Sequence, residues 1–148
     1  MYYFEFGKNF SPEMSYSHMG LIIGVKSETL HVLPICSYKP GKAQHRQAFH
    51  PVKNPDSKSD LYILENSVHS FLKHDSVLSL NDIKTISKNR KMSGLIGAID
   101  VNSETYAIIE DLVIEKYFKG FHFQSRKLKE KCAELERRLV MLGHEYRG

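Results

Sequence analysis

Cysteine is scarce: Cys36 and Cys132 are the only two in 148 residues, and one conceivable bridge between a strand end and a charged helix makes no disulfide framework. A reducing, cytoplasmic setting is therefore expected. No stretch approaches the roughly 18 uninterrupted apolar residues of a membrane helix, so a soluble chain without membrane contact is also expected. The opening Met-Tyr-Tyr-Phe-Glu-Phe has neither a basic leader nor a sustained apolar run, which argues against a secretory signal. Glycine-rich phosphate loops are missing, because Gly20 and Gly24 fall inside a strand candidate, and no nucleotide cofactor is implied. The histidines come with no CxxC or HExxH spacing, and the pairs His45/His50 and His69/His74, five apart, do not share a helical face as a spacing of four does. No metal is expected, and no internal repeat or low-complexity tract is visible.

What is present suits a single domain of the usual length, about 100–200 residues. Hydrophobic content of 41% can supply a core. A formal charge of +4 and a pI near 9.0 permit phosphate contact, since clustered Lys and Arg displace counterions from nucleic acid. Lys39, Lys42, Arg46, Lys53 and Lys58 lie in one irregular stretch with His45 and His50, and Lys84, Lys88, Arg90 and Lys91 form a second group. Two basic patches bordering one groove is the functional reading; ordinary solvated loops is the other.

Branched residues in Met19–Val25 and Thr29–Ile35, separated by Lys26-Ser27-Glu28, predict a hairpin. Tyr2–Phe6 reads as a first strand, Ser76–Arg90 as a buried strand with a basic exit, Leu61–Leu64 as a short strand and Ser93–Ile99 as a last one. Tyr38–Ser59 carries Pro40-Gly41, Pro51 and Asn54-Pro55-Asp56, turn signals in a connection of unusual length, with Ala48–Val52 as a short edge strand. Such a loop is functional or disordered. Asn102-Ser103-Glu104 caps a helix that Gly120 ends, and a second helix from about Ser125 to Leu142 spaces Leu128, Cys132, Leu135, Leu139 and Leu142 alternately by four and three. That stripe, a little over two heptads, is expected to pack on the sheet domain or on a second copy.

Four segments resemble the MazF/PemK/Kid family of toxin endoribonucleases. Ser11-Pro12-Glu13-Met14 stands where that family has Gly-Ser-Glu-Gln, Met19-Gly20-Leu21-Ile22-Ile23 where it has Pro-Val-Leu-Val-Ile, and Pro34-Ile35-Cys36-Ser37 where it has Pro-Leu-Thr-Ser. Leu80–Arg90 is similar to the family's Leu-Asp-Gln-Ile-Arg-Thr-Ile-Asp-Lys segment, the most specific of these matches. Gly20-Leu21-Ile22-Ile23, Pro34-Ile35-Cys36-Ser37 and Lys39 also resemble ToxN-type toxins. Both resemblances imply a small SH3-like antiparallel β-barrel over Met1 to about Phe118, and with the two C-terminal helices read from the spacing the expected chain is α+β. The expected division is one domain over 1–148, with the barrel in 1–101, an elaborated loop at about 38–60 and helices in 102–148.

The resemblance further implies a metal-independent endoribonuclease of a toxin–antitoxin system, cutting single-stranded RNA into 2′,3′-cyclic phosphate and 5′-OH ends. It implies a homodimer and a neutralising antitoxin, protein for MazF-like relatives and RNA for ToxN-like ones. Such chemistry needs a base for the ribose 2′-OH, an acid for the leaving 5′ oxygen and donors on the phosphoryl oxygens. His18 takes the place of the family's catalytic arginine, and histidine titrates near neutrality. Ser37 and Cys36 occupy the phosphate-contacting pair, with Ser37 the better donor because a thiol bonds weakly. Cys36 also reads as a small core residue, and His18 as a rim histidine on the backbone. Lys39, Glu13, Arg46, His50 and Lys84 are the candidate RNA-binding residues, and Tyr16, Tyr38 or Phe49 candidate stacking partners. Asn81 replaces an acidic residue of some relatives and cannot act as a base. The rival readings are a noncatalytic binding barrel and a CcdB-like toxin aimed at a protein.

Overall fold

The computed structural model describes residues 1–8 and 16–145. Six strands, β1 (Tyr2–Glu5), β2 (Ser17–Val25), β3 (Thr29–Ser37), β4 (Leu61–Leu64), β5 (Ser76–Ser79) and β6 (Lys84–Ser87), form one antiparallel sheet. A single helical turn, α1 (Ala43–Arg46), interrupts the loop between β3 and β4, and two helices, α2 (Glu104–Tyr117) and α3 (Lys119–Glu145), follow the strands. The architecture is α+β. The sheet runs β1-β2-β3-β5-β4 and is not closed, with β6 added to the side of β3.

β3 organises the sheet because it is long enough to serve two partners along one edge. Thr29–Val32 pairs with β6 and Ile35–Ser37 with β5, so the single strand expected over Ser76–Arg90 is two strands on different halves of β3. The turn between them is fixed where Leu80 N–H donates to the Asp60 carbonyl at 2.8 Å and Asn81 Nδ2 to Asp60 Oδ2 at 3.1 Å. Ser93–Ile99 is not a strand. It runs beside the N-terminus through isolated bonds, Met92 N–H to the Tyr3 carbonyl, Ile96 N–H to the Met1 carbonyl and the Met1 ammonium to the Gly97 carbonyl. Ala48–Val52 likewise contributes only isolated bridges, at Phe49 and His50.

One core cluster joins Phe4 and Phe6 of the β1 segment to Leu30, Val32 and Ile86. Gly20 makes this fit possible: a Cβ there would stand 2.3 Å from Val32 Cγ1 and 3.0 Å from Phe4 Cδ2. Phe4 can thus approach the β2 backbone directly.

The long loop after β3 is ordered by polar side chains in place of a ladder. Asn54 Nδ2 donates to the Gln47 and Ala48 carbonyls, Ser57 Oγ donates to the Gln47 carbonyl, and Ala48 is buried. The chain divides into two units, Met1–Ile109 and the residues from Glu110 on. Helix α2 begins where Ser103 Oγ accepts the Tyr106 N–H, as the cap signal predicts, and Ile109 and Val113 are its buried positions. Gly120 does not end a helix: the interruption falls at Phe118, and α3 starts six residues before the expected Ser125. Among the described residues no helix is long and apolar enough to cross a membrane.

Candidate functional site

The register of β2 on β3 brings the predicted catalytic residues together. Phe4 pairs with His18 and Met19 with Ile35; continuing that antiparallel register by one residue sets His18 across from Cys36. On the other edge of β3, Cys36 and Ser37 pair with Val77 and Ser76. A pocket of about 370 Å³ opens at this strand end, and its polar lining includes Ser17, His18, Cys36, Ser37, Lys73, His74 and Ser76. The three catalytic candidates therefore share one cavity, with a second histidine and a lysine added from the loop before β5.

That loop is held in place by a mixture of backbone and side-chain hydrogen bonds. Leu72 N–H donates to the His69 carbonyl, Asn66 N–H to Asp75 Oδ1, Tyr38 N–H to the Asp75 carbonyl and Ser76 Oγ to the His74 carbonyl. Phe71 forms part of the wall, and it can do so because residue 97 is glycine: a Cβ there would lie 2.1 Å from Phe71 Cγ. Immediately before Ser17 and His18, the exposed Tyr16 adopts φ 66°, a left-handed backbone that costs a non-glycine residue about 1 kcal/mol.

Burial pushes the Cys36 thiol up, while Lys42 and then Lys39 pull it down. Desolvation wins, so Cys36 is a neutral thiol rather than an activated thiolate, and cysteine nucleophile chemistry is disfavoured. The two lysines nevertheless extend positive potential to the end of β3. Their turn is fixed by His45, whose Nδ1 accepts the Lys39 N–H at 2.9 Å while its ring packs on Tyr38.

His45 is buried, and burial, then Lys42 and Lys39, lowers its pKa below the ordinary value of 6.5. His69 is lowered too, by burial. Because the unfolded chain binds these protons more readily, their contribution to stability is complete above about pH 6.5 and is lost as pH falls through the lowered folded values. The thermal midpoint is expected to drop between pH 7.5 and 5.5, and to drop less in His45→Gln, which keeps an acceptor and removes a titrating group. An unchanged slope in His45→Gln would contradict this assignment.

The remaining candidates lie elsewhere. His50 is buried in its own network: Nδ1 accepts the Val52 and Lys53 N–H groups and Nε2 meets Glu65, which also holds Lys53 Nζ at 2.7 Å. Both ring nitrogens are thus engaged within the loop, and the two hydrogen bonds hold the Glu65 carboxyl below its usual range. Arg46 donates to the Pro40 carbonyl and lines a separate open depression with Lys58 and Asn54. Lys84 lies on β6 opposite Val32 and pairs with Asp82 at 3.2 Å. Neither residue lines the pocket. Glu13 lies outside the described residues. Of the aromatic candidates, Tyr38 packs on His45 and Phe49 stacks on Tyr62, so Tyr16 is the exposed one.

Sequence reasoning missed Lys73 and His74. The available signal was a Lys-His pair directly ahead of the buried Ser76–Ser79 strand, the same kind of strand-end position that singled out Cys36 and Ser37. Among the described residues no group of three or more His, Cys, Asp and Glu side chains is placed to hold a metal ion. No protein-family model matches this sequence, and no curated protein matches it.

Proposed function

We propose that the protein is a metal-independent endoribonuclease acting on single-stranded RNA, with an SH3-like barrel architecture and the role of a toxin held in check by an antitoxin, protein or RNA. The observation that carries this reading is the convergence of His18, Ser37 and Cys36 with Lys73 and His74 in one pocket. Two imidazoles supply the base and the acid that internal transesterification requires. His18 removes the 2′-OH proton, the resulting alkoxide attacks the adjacent phosphorus, and the 5′ oxygen leaves with a proton from His74. A 2′,3′-cyclic phosphate and a 5′-OH remain. Ser37 Oγ donates to a phosphoryl oxygen, and Lys73 and Lys39 offset its charge. Cys36, a neutral thiol, fills the wall beside them.

The test is incubation of purified protein with mixed-sequence single-stranded RNA in EDTA, with end-group analysis, beside the same RNA carrying 2′-deoxyribose throughout. Cyclic phosphate ends from the first and none from the second are expected. Intact RNA from folded, antitoxin-free protein would sink the nuclease reading and leave a binding domain or a toxin aimed at a protein.

A further inference from the structure

Helix α3 is long, and none of its residues is buried. Because it begins at Lys119, the apolar stripe is longer than the sequence suggested: Phe121, Leu128, Leu135 and Leu142 recur every seven residues, with Ser125, Cys132 and Leu139 in the alternate positions. This is the spacing of a two-stranded seam sustained over three heptads, with leucine favoured at one of its two positions. Phe121, Leu128, Leu139 and Leu142 are all more than half exposed, while Val140 and Met141 lie off the seam.

The residues flanking the seam select its partner. Before each alternate position stand Gln124, Lys131 and Arg138, and after each heptad leucine stand Lys129, Glu136 and Gly143. In a parallel pair each residue of the first set faces the partner residue five further on, which sets Lys131 against Glu136 of the second copy, twice by symmetry. In an antiparallel pair each set faces itself: Lys131 meets Lys131 with Lys129 against Lys129, or Lys131 meets Arg138 with Lys129 against Glu136, so repulsion is at best offset and no net attraction remains. Charge therefore favours parallel over antiparallel pairing.

We propose that α3 is a dimerisation helix that pairs in parallel with α3 of a second copy, in register, through Phe121, Leu128, Leu135, Leu139 and Leu142, and that the Lys131–Glu136 contacts set the direction. The surface is self-complementary and closes with two-fold symmetry. It is independent of the cleavage pocket, so a protein that dimerises without cutting RNA, or cuts without dimerising, separates the two readings.

Sedimentation equilibrium of the full chain over a concentration series provides the test. The natural chain is expected to be a dimer, and Leu135→Glu with Leu139→Glu a monomer that keeps the melting transition of the sheet. Lys131→Glu or Glu136→Lys alone is expected to weaken association roughly tenfold by turning two attractive contacts repulsive. The double variant restores it. Residues five apart are not neighbours on one helix, so the rescue reports contact between chains. A monomeric natural chain, or a dimer indifferent to the leucine substitutions, overturns the proposal, and a double variant no tighter than the singles overturns the parallel register.

Discussion

Replacing His18 by alanine is expected to lower RNA cleavage by about 10²–10⁴-fold, the usual contribution of a positioned general base, while RNA binding changes little. Geometry selects this residue over the other histidines. His18 lines the pocket from β2, one register step from the Cys36 and Ser37 end of β3, whereas neither His45 nor His50 lines it and each accepts loop N–H groups at Nδ1. His74→Ala is expected to cost a similar factor, and the double variant little more than either single one, because a base and an acid that act in one transfer do not contribute additively. The measurement is the single-turnover rate with saturating protein, together with filter binding of uncut RNA. Cleavage that survives in both single variants would remove the imidazoles from the mechanism.

Phe4→Ala is expected to destabilise the sheet domain by about 3–5 kcal/mol, the range for deleting a buried aromatic ring. Phe4 is fully buried, meets Tyr2 edge-on at 6.2 Å and Phe6 at 6.1 Å between ring centres, and fills the space that Gly20 leaves beside Val32. Urea unfolding monitored by circular dichroism measures the loss; a change below about 1 kcal/mol would mean that this cluster is not cooperative with the fold. Because Phe4 is the β1 partner of His18, cleavage should weaken in this variant even under conditions where it remains folded.

Segments whose fate depends on local pattern were legible without coordinates. Leu61–Leu64 is a strand with the expected bounds, the Thr29 strand begins where branched residues resume, and the Ser103 cap opens α2. The segments that misled are those whose backbone bonds go to distant partners. Apolar residues in Ser93–Ile99 resemble a strand, yet the segment's bonds reach Met1 and Tyr3 singly, and Leu95 is exposed. Gly120 looked like a stop, but a glycine inside a helix costs only about 1 kcal/mol and is tolerated.

Sequence alone determined the hairpin and its strand-end Cys36-Ser37, the absence of recognisable metal or nucleotide motifs, and the periodic stripe on the last helix. Those features rest on side-chain chemistry and on spacings of two, three and four residues. Tertiary structure decided what periodicity cannot encode: that β3 divides its edge between β5 and β6, that Lys73 and His74 complete the pocket while His45 and His50 brace the loop, and that α3 leaves its stripe uncovered. Each of these depends on which distant residues the sheet register sets side by side.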